Sequence, residues 1–295
     1  MANDTHARFG RIGIWSSALH PSDPAGLAAA SAAVAELDAL GYGTVWIGGS
    51  PSLDQVLPVL AASSRLTVAT GILSIWEHTA PEVAERTARI QRDTGGRFVL
   101  GLGVSHAGFT PRYARPYSAM VEYLDALDAA PDPVPGGQRV LAALGPRMLK
   151  LAAGRAVGAH PYLVTVEHTA EARAALGPDA LLAPELGVVL DTDLDRARAV
   201  ARDGLAMYLG LPNYTDNLLR LGFREGDFAD GGSDRLLDAL FALGDAGTVR
   251  DRVGRYLEAG ADHVALQVLT GDRGDRLPLA EWRTLASALE LAPRG

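Results

Sequence analysis

The chain has 295 residues, 48% hydrophobic and 21% charged, the balance of an ordinary globular protein. A formal net charge of −8 argues against a general nucleic-acid surface, and the absence of cysteine removes disulfides, thiolate metal sites and thiol nucleophiles. The opening "MANDTHARFG" lacks the apolar centre of a secretory signal, and no apolar run approaches the roughly 20 residues that span a bilayer, so a cytoplasmic protein with no membrane partner is expected.

Short apolar runs then alternate with longer stretches of helical period. "RIGIW" (11–15) predicts a first strand. The helix after it, "SDPAGLAAASAAVAELDAL", has Ser22 or Asp23 as its cap, Pro24 in its first turn, and Leu27, Ala30, Val34 and Leu37 on one face; Gly41 ends it. "TVWIGG" (44–49) is the second strand, and "SLDQVLPVLAASS" a helix that Pro58 either kinks or starts. "LTVATGIL" (66–73) is the third strand, rich in β-branched residues as a buried strand should be. A helix over "APEVAERTARIQRDT" (80–94) carries Pro81 and Glu82 in its first turn. "RFVLGLGV" (97–104) is the fourth strand, followed by the helix "YSAMVEYLDALDAA" and the loop "PDPVPGGQ". "RVLAAL" (139–144) is the fifth, with "PRMLKLAAGRA" as its helix. "HPYLVT" (160–165), "ELGVVL" (185–190) and "HVALQVL" (263–269) complete the set, and the closing helix "PLAEWRTLASALEL" puts Leu279, Trp282, Leu285, Ala286 and Leu289 on one face.

Eight strands alternating with helices predict an α/β fold, a (β/α)8 TIM barrel forming a single domain over 1–295, in preference to an open doubly wound sheet. Residues 191–247 exceed one helical connection and predict an insertion between strands 7 and 8, lying over the barrel mouth.

In such a barrel the active site lies at the C-terminal ends of the strands. Here strand two ends "IGGS", strand three "TGIL", strand four "GLGVSH" and strand five "ALGPR", so four neighbouring strands lose bulk at one level. Either backbones pack closely there, or a flat ligand lies on bare backbone. Gly145 precedes Pro146 at a helix start, where unpaired N–H groups and the helix dipole suit an anion. Arg147 and Lys150, the one lysine of the chain, add positive charge or are simply solvated.

His78 and His106 follow strands three and four and are the candidate proton donors at the mouth; the alternative for each is a hydrogen-bonded loop residue. Glu77 orients His78 or faces solvent. Trp15 and Trp76, at the exits of strands one and three, wall an apolar pocket or pack on their own helices. His160 and His263 sit at strand starts and read as structure at the bottom of the barrel, and His168 begins a helix. Asp191, Asp193 and Asp195 lack the glycine and distal glutamate of a calcium loop and read as helix caps; no metal site is expected. The chain has no G-x-S-x-G elbow, P-loop or G-x-G-x-x-G fingerprint.

Three stretches, "ATGILSIWEHTAPEVAERTARIQRDTGGRFVLGLGVSH", "LAALGPRMLKLAAGRAVGAHPYLV" and "GTVRDRVGRYLEAGADHVALQVL", resemble in this order the luciferase-like monooxygenase superfamily, and most closely its actinobacterial branch that uses the deazaflavin coenzyme F420. The resemblance covers most of the chain apart from the loop near 128–138. It implies a homodimer whose cofactor ring rests on a bulge at the end of strand three, with a non-prolyl cis peptide at Gly71–Ile72. It further implies that backbone at Leu102, Gly103 and Val104 touches the cofactor, that its phosphate lies against Ala143, Leu144 and Gly145, and that its acidic tail reaches Arg147 or Arg112. One departure stands out: several relatives carry an acid and a histidine at the end of strand two, where this chain has Gly48, Gly49 and Ser50.

The resulting expectation is an F420-dependent oxidoreductase that transfers a hydride between the cofactor and a small to medium organic substrate. Such chemistry asks the protein mainly to orient donor and acceptor. The alternatives are an FMN-dependent monooxygenase on the same barrel and a flavin-binding protein without turnover. A cofactor-free phosphosugar enzyme ranks last, because it would need a lysine or glutamate at a strand end.

Overall fold

Strands of about five apolar residues, each returned by one helix, can pair only in parallel with their neighbours, and a parallel sheet of this kind is buried on both faces. The computed structural model describes residues 4–272 and 276–293. Its barrel strands are β1 (Ile12–Ser16), β2 (Thr44–Gly48), β3 (Thr67–Gly71, resumed at Leu73–Ser74), β4 (Phe98–Gly103), β5 (Arg139–Leu141), β6 (Gly158–Ala159), β7 (Leu181–Leu182 and Glu185–Leu190) and β8 (Val264–Val268). All pairings are parallel: Ile12 faces Val264, Gly13 faces Thr44, Gly48 faces Gly71, Ala69 faces Val99, Gly101 faces Val140 and Leu141 faces Ala159.

The ring closes through β7. Pro184, which has no N–H, divides that strand. Its first part pairs with β6 (Ala159 with Leu182), and its second with β8 (Glu185 with Ala265). Three bonds carry the sheet across the division: Ala183 N–H to Ala159 O (2.9 Å), Glu185 N–H to Pro161 O (2.8 Å) and Ala265 N–H to Pro184 O (2.9 Å).

Following these registers with the stagger a closed barrel imposes, inward residues fall into layers contributed by alternate strands. Gly13, Ala69, Val140 and Ala183 form one layer, with Trp46, Gly101, His160 and Ala265 above it. Trp15, Gly71, Ala142 and Glu185 form the next, and Gly48, Gly103, Tyr162 and Gln267 make the rim. Side-chain contacts agree with this ordering. Trp46 stacks on His160 with centroids 4.0 Å apart at 7°, and Trp15 Nε1–H donates to Gly71 O at 3.0 Å. Phe9 closes the bottom under Trp46, 6.2 Å away. His263 accepts from Trp46 Nε1–H (3.0 Å), and its other ring nitrogen pairs with Gly10 O (2.8 Å).

The barrel and the insertion match the expected fold. Asp23 caps the first long helix, accepting from Gly26 N–H at 2.8 Å, and Gly41 ends it at φ 94°. Asp193 caps Leu194–Leu205, as read. Pro58 stays inside Leu53–Ala61, neither starting nor ending it. Strand five is Arg139–Leu141, shorter than the predicted 139–144, and strand six is Gly158–Ala159, ahead of the predicted 160–165; there the chain turns out of the sheet at Leu163 (φ 51°), whose N–H goes to the Glu185 carboxyl instead of to a strand. The insertion holds helices Leu194–Leu205, Pro212–Arg220 and Asp234–Leu240. It also holds a strand the sequence did not announce, Phe241–Gly244, paired with β7 at Gly187. "FALG" abuts a helix and is too short to show a period of its own. Leu205, Leu211, Tyr214, Leu218, Phe223, Leu237 and Phe241 give the insertion its own apolar cluster. Among the described residues no helix is long and apolar enough to cross a membrane.

Burial pushes both His160 and His263 down to about 4. The unfolded chain, with histidines near 6.5, therefore binds more protons between those two values, and stability carried by a neutral buried histidine is lost as pH falls through that window. Glu185 acts in the opposite sense, so the informative quantity is a difference. Wild type should lose up to about 2 kcal/mol relative to His263→Gln between pH 7 and pH 5, read from urea unfolding midpoints.

Candidate functional site at the barrel mouth

The rim is built around the Trp15 indole. A Cβ on Gly48 would lie 2.2 Å from that ring, and one on Gly71 2.8 Å from its Nε1. A Cβ on Gly101 would lie 1.8 Å from the Thr70 carbonyl oxygen, and one on Gly103 2.5 Å from the Ile72 side chain. Close packing inside the protein thus accounts for Gly48, Gly71, Gly101 and Gly103 on strands two to four, without a ligand. Gly145 is different: nothing lies within 4 Å of where its Cβ would be.

The Gly71–Ile72 peptide is cis. Beyond it the chain resumes at Leu73 and Ser74, which pair with Leu102 and Gly103. Val104 O accepts a hydrogen bond from Trp76 Nε1–H, and Trp76 tilts over Tyr113 at 6.2 Å. Trp76 therefore walls the corner between β3 and β4. Arg112 donates to Trp76 O at 2.9 Å.

At the exit of β2, where Gly48, Gly49 and Ser50 stand, side chains arrive from other loops. The His20 ring bonds Gly48 O through Nε2 at 2.9 Å, while its Nδ1 is buried without a partner. Ser50 Oγ donates to Glu77 Oε2 (2.8 Å) and accepts from Ser74 N–H (3.1 Å). Glu77 thus serves Ser50 rather than orienting His78. A histidine and an acid do stand at this exit. Sequence reading missed His20, although its position four residues past β1 was a signal.

His106 stands among the insertion's side chains. Its Nδ1 meets Asn213 Oδ1 at 3.0 Å, with Tyr214 at 5.3 Å and Phe109 edge-on at 5.6 Å. Burial lowers its pKa, and the Asn213 bond works against that. His78 is part-buried at the approach to helix Ala80–Asp93; its carbonyl accepts from Tyr123 O–H (3.1 Å). The structure gathers His106, and not His78, into the aromatic cluster.

That cluster forms one wall of the mouth. Tyr162 O–H donates to Gln267 Oε1 (2.8 Å), and its ring lies 5.3 Å from Trp15, 5.3 Å from Tyr208 and 6.4 Å from Tyr214. Burial holds the Tyr162, Tyr208 and Tyr214 hydroxyls protonated by raising their pKa values. Beyond the neighbouring strand β5, Ala143, Leu144 and Gly145 lead into helix Pro146–Arg155 with Gly145 as its cap. His168 fixes this loop by bonding Leu144 O at 2.9 Å. Arg147 is exposed and lies over the Tyr117 ring at 4.2 Å, and Lys150 is exposed. Among the described residues no group of three or more His, Cys, Asp or Glu side chains could hold a metal.

Residues 9–132 match the family model described as luciferase-like monooxygenase, so the resemblance read from the sequence is borne out over that part of the chain. No curated protein matches the chain. Among solved structures, apo-MsnO8 is similar with 20% identity and a TM-score of 0.71, over 96% of this chain and 99% of that one. An F420-dependent secondary alcohol dehydrogenase, in complex with an F420–acetone adduct, is similar with 15% identity and a TM-score of 0.69, over 96% and 98%. A type II Baeyer–Villiger monooxygenase is also similar. It is the oxygenating constituent of 3,6-diketocamphane monooxygenase from Pseudomonas putida, in complex with FMN, at 14% identity and a TM-score of 0.65, over 96% and 98%. At these identities the likeness shows the fold.

The geometry at His106 gives a signed test. The Asn213 carbonyl favours the protonated ring, so Asn213→Ala should lower the His106 pKa further below its ordinary value. Titration of the His106 ring by NMR reads this directly, and an upward movement would contradict the hydrogen bond.

Proposed function

We propose that the chain is an oxidoreductase of the luciferase-like kind that holds a flavin-type cofactor at the barrel mouth. Coenzyme F420 is the first expectation, and a small to medium organic molecule the substrate. The carrying observation is Gly145. This glycine caps the helix after β5, and the space its side chain would take is open. A helix start of that form presents unpaired N–H groups and a positive dipole end, which suits the phosphate that F420 and FMN share. Arg147 in the first turn adds charge in a protein otherwise at −8.

When bound, the cofactor supplies the two electrons, and the side chains supply place and protons. Ile72, with backbone at Leu102, Gly103 and Val104, offers an apolar, flat support beside Trp15. Tyr162, Tyr208 and Tyr214 keep water from the rim on the other side. His106, lowered by burial, is neutral around pH 7 and serves as proton acceptor at the edge of the cluster. His20, whose Nδ1 is buried without a partner, is a second ring at the mouth, at the exit of β2. His78 has its place near the mouth from the sequence alone. A cytoplasmic homodimer is part of the same reading, supported by the resemblance.

FMN is the second reading, supported by the likeness of the fold to an FMN complex at a TM-score of 0.65. Separate fluorescence titrations with F420 and FMN decide between them. Micromolar or tighter binding of F420 alone supports the first reading, preference for FMN moves it to an oxygen-using monooxygenase, and binding of neither overturns the cofactor site. Gly145→Ala meets no neighbour and leaves φ −87° undisturbed, so unfolding should shift little while cofactor binding weakens about tenfold or more, about 1.4 kcal/mol.

A further inference from the structure

Glu185 is the one carboxyl in the inward-facing layers of the barrel among the described residues. It shares the layer beneath the rim with Trp15, Gly71 and Ala142, and it is 1% exposed. Oε2 accepts the Leu163 N–H at 3.1 Å, and Oε1 is buried with no partner. An ionised carboxylate in that position would lack both water and a counter-ion, which is far costlier than burying the neutral acid. Burial correspondingly raises its pKa to about 8, and no basic group is among the influences on it. The titratable groups that feel its charge are the phenols Tyr162, Tyr208, Tyr214 and Tyr256, from the exit of β6, the insertion and helix Ala246–Glu258.

What this acid holds matters for the mouth. Leu163 sits at φ 51°, a conformation that non-glycine residues seldom adopt, at the point where the chain leaves β6. No strand is paired with Leu163, so the Glu185 oxygen takes the place of a ladder acceptor for its N–H. Tyr162, the preceding residue, carries the ring that meets Trp15, Tyr208 and Tyr214 and the hydroxyl that bonds Gln267.

We propose that Glu185 is a positioning residue: its Oε2 holds the Leu163 N–H and so sets Tyr162 against Trp15 and Gln267, and loss of its proton places a charge on the buried, unpartnered Oε1 that disturbs that wall of the mouth. A carboxylate formed there keeps the Leu163 bond and strengthens it, so the relief falls on Oε1: water is drawn in beside it, and the Tyr162 ring shifts to admit that water. Ligands that rely on the aromatic wall then bind more weakly in alkaline solution. This consequence for ligands rests on the mouth being the binding site; the movement itself does not.

The test therefore uses the protein without cofactor. Tryptophan fluorescence, followed from pH 6 to about 9.5, should show a step in wild type with its midpoint near 8. The raised phenols titrate above this range, and the buried His160 and His263 below it. Glu185→Gln keeps an oxygen acceptor for Leu163 and mimics the neutral acid, so the step should vanish while cooperative unfolding at pH 6 is retained. Trp15→Phe should abolish the same step, because Trp15 is the indole touching Tyr162. A step that survives in Glu185→Gln, or its absence from wild type, overturns the role of Glu185. A step that survives in Trp15→Phe overturns its link to Tyr162. As a second measurement, the infrared carbonyl band of a protonated carboxylic acid should be present in wild type at pH 6 and missing from Glu185→Gln; an unchanged band would also defeat the proposal. Because no cofactor is added, these outcomes are independent of whether F420 or FMN binds.

Discussion

The mouth of this barrel depends on where one indole goes. Trp15 points inward from β1 into a layer that it shares with Gly71, Ala142 and Glu185, and its ring spreads over Gly48 and Gly71. Its N–H is satisfied by Gly71 O, so the large side chain is buried without leaving a polar atom unpaired. Glycine on β2 and β3 is thus the condition for a tryptophan on β1. One layer down, Trp46 and His160 stack on each other, and the place of a Cβ on Gly101 is taken by the Thr70 backbone. A parallel barrel interior of fixed diameter tolerates one or two large rings per layer only if the remaining strands yield.

This exchange explains what could be read from the sequence and what could not. Helix and strand alternation, the caps at Asp23 and Asp193, and the long connection before β8 are local or periodic signals, and each survives into the structure. The strand-end glycines were visible as well, but their meaning was not, because the choice between ligand and indole turns on which inward residues share a layer. That depends on the stagger between strands, which one strand's sequence does not carry. Glu77 shows the same limit. Adjacency suggested a partnership with His78, whereas the partner is Ser50, brought alongside by the pairing of β2 with β3. His20 and His168 were legible as histidines and not as parts of the mouth, since both act through carbonyls, Gly48 O and Leu144 O, on neighbouring loops.

Polar atoms left without partners occur in several parts of the core, at Arg8 Nε, Thr87 Oγ1, Gln91 Oε1 and Trp282 Nε1 as well as near the mouth. At the mouth they share a pattern. His20 Nδ1, His168 Nδ1 and Glu185 Oε1 are buried and unpartnered, and in each the other polar atom of the same side chain fixes a backbone group at a strand exit. Each of these atoms is one that a ligand or water can satisfy.

The insertion completes this arrangement. Tyr208 and Tyr214 reach Tyr162 on the β6 side, and Asn213, next to Tyr214, reaches His106 on the β4 side. One short segment, 208–214, thus spans the rim and touches both the aromatic wall and the group best placed to accept a proton. Any movement of it changes access and proton chemistry together. Its anchors differ in kind: ring packing to Tyr162 is indifferent to pH, but the bond to His106 is not, because protonation strengthens it. The cover is accordingly held more tightly on the β4 side when His106 carries a proton. A cover gripped at one end by a protonated ring couples the state of that acid–base group to the opening of the mouth without any further part.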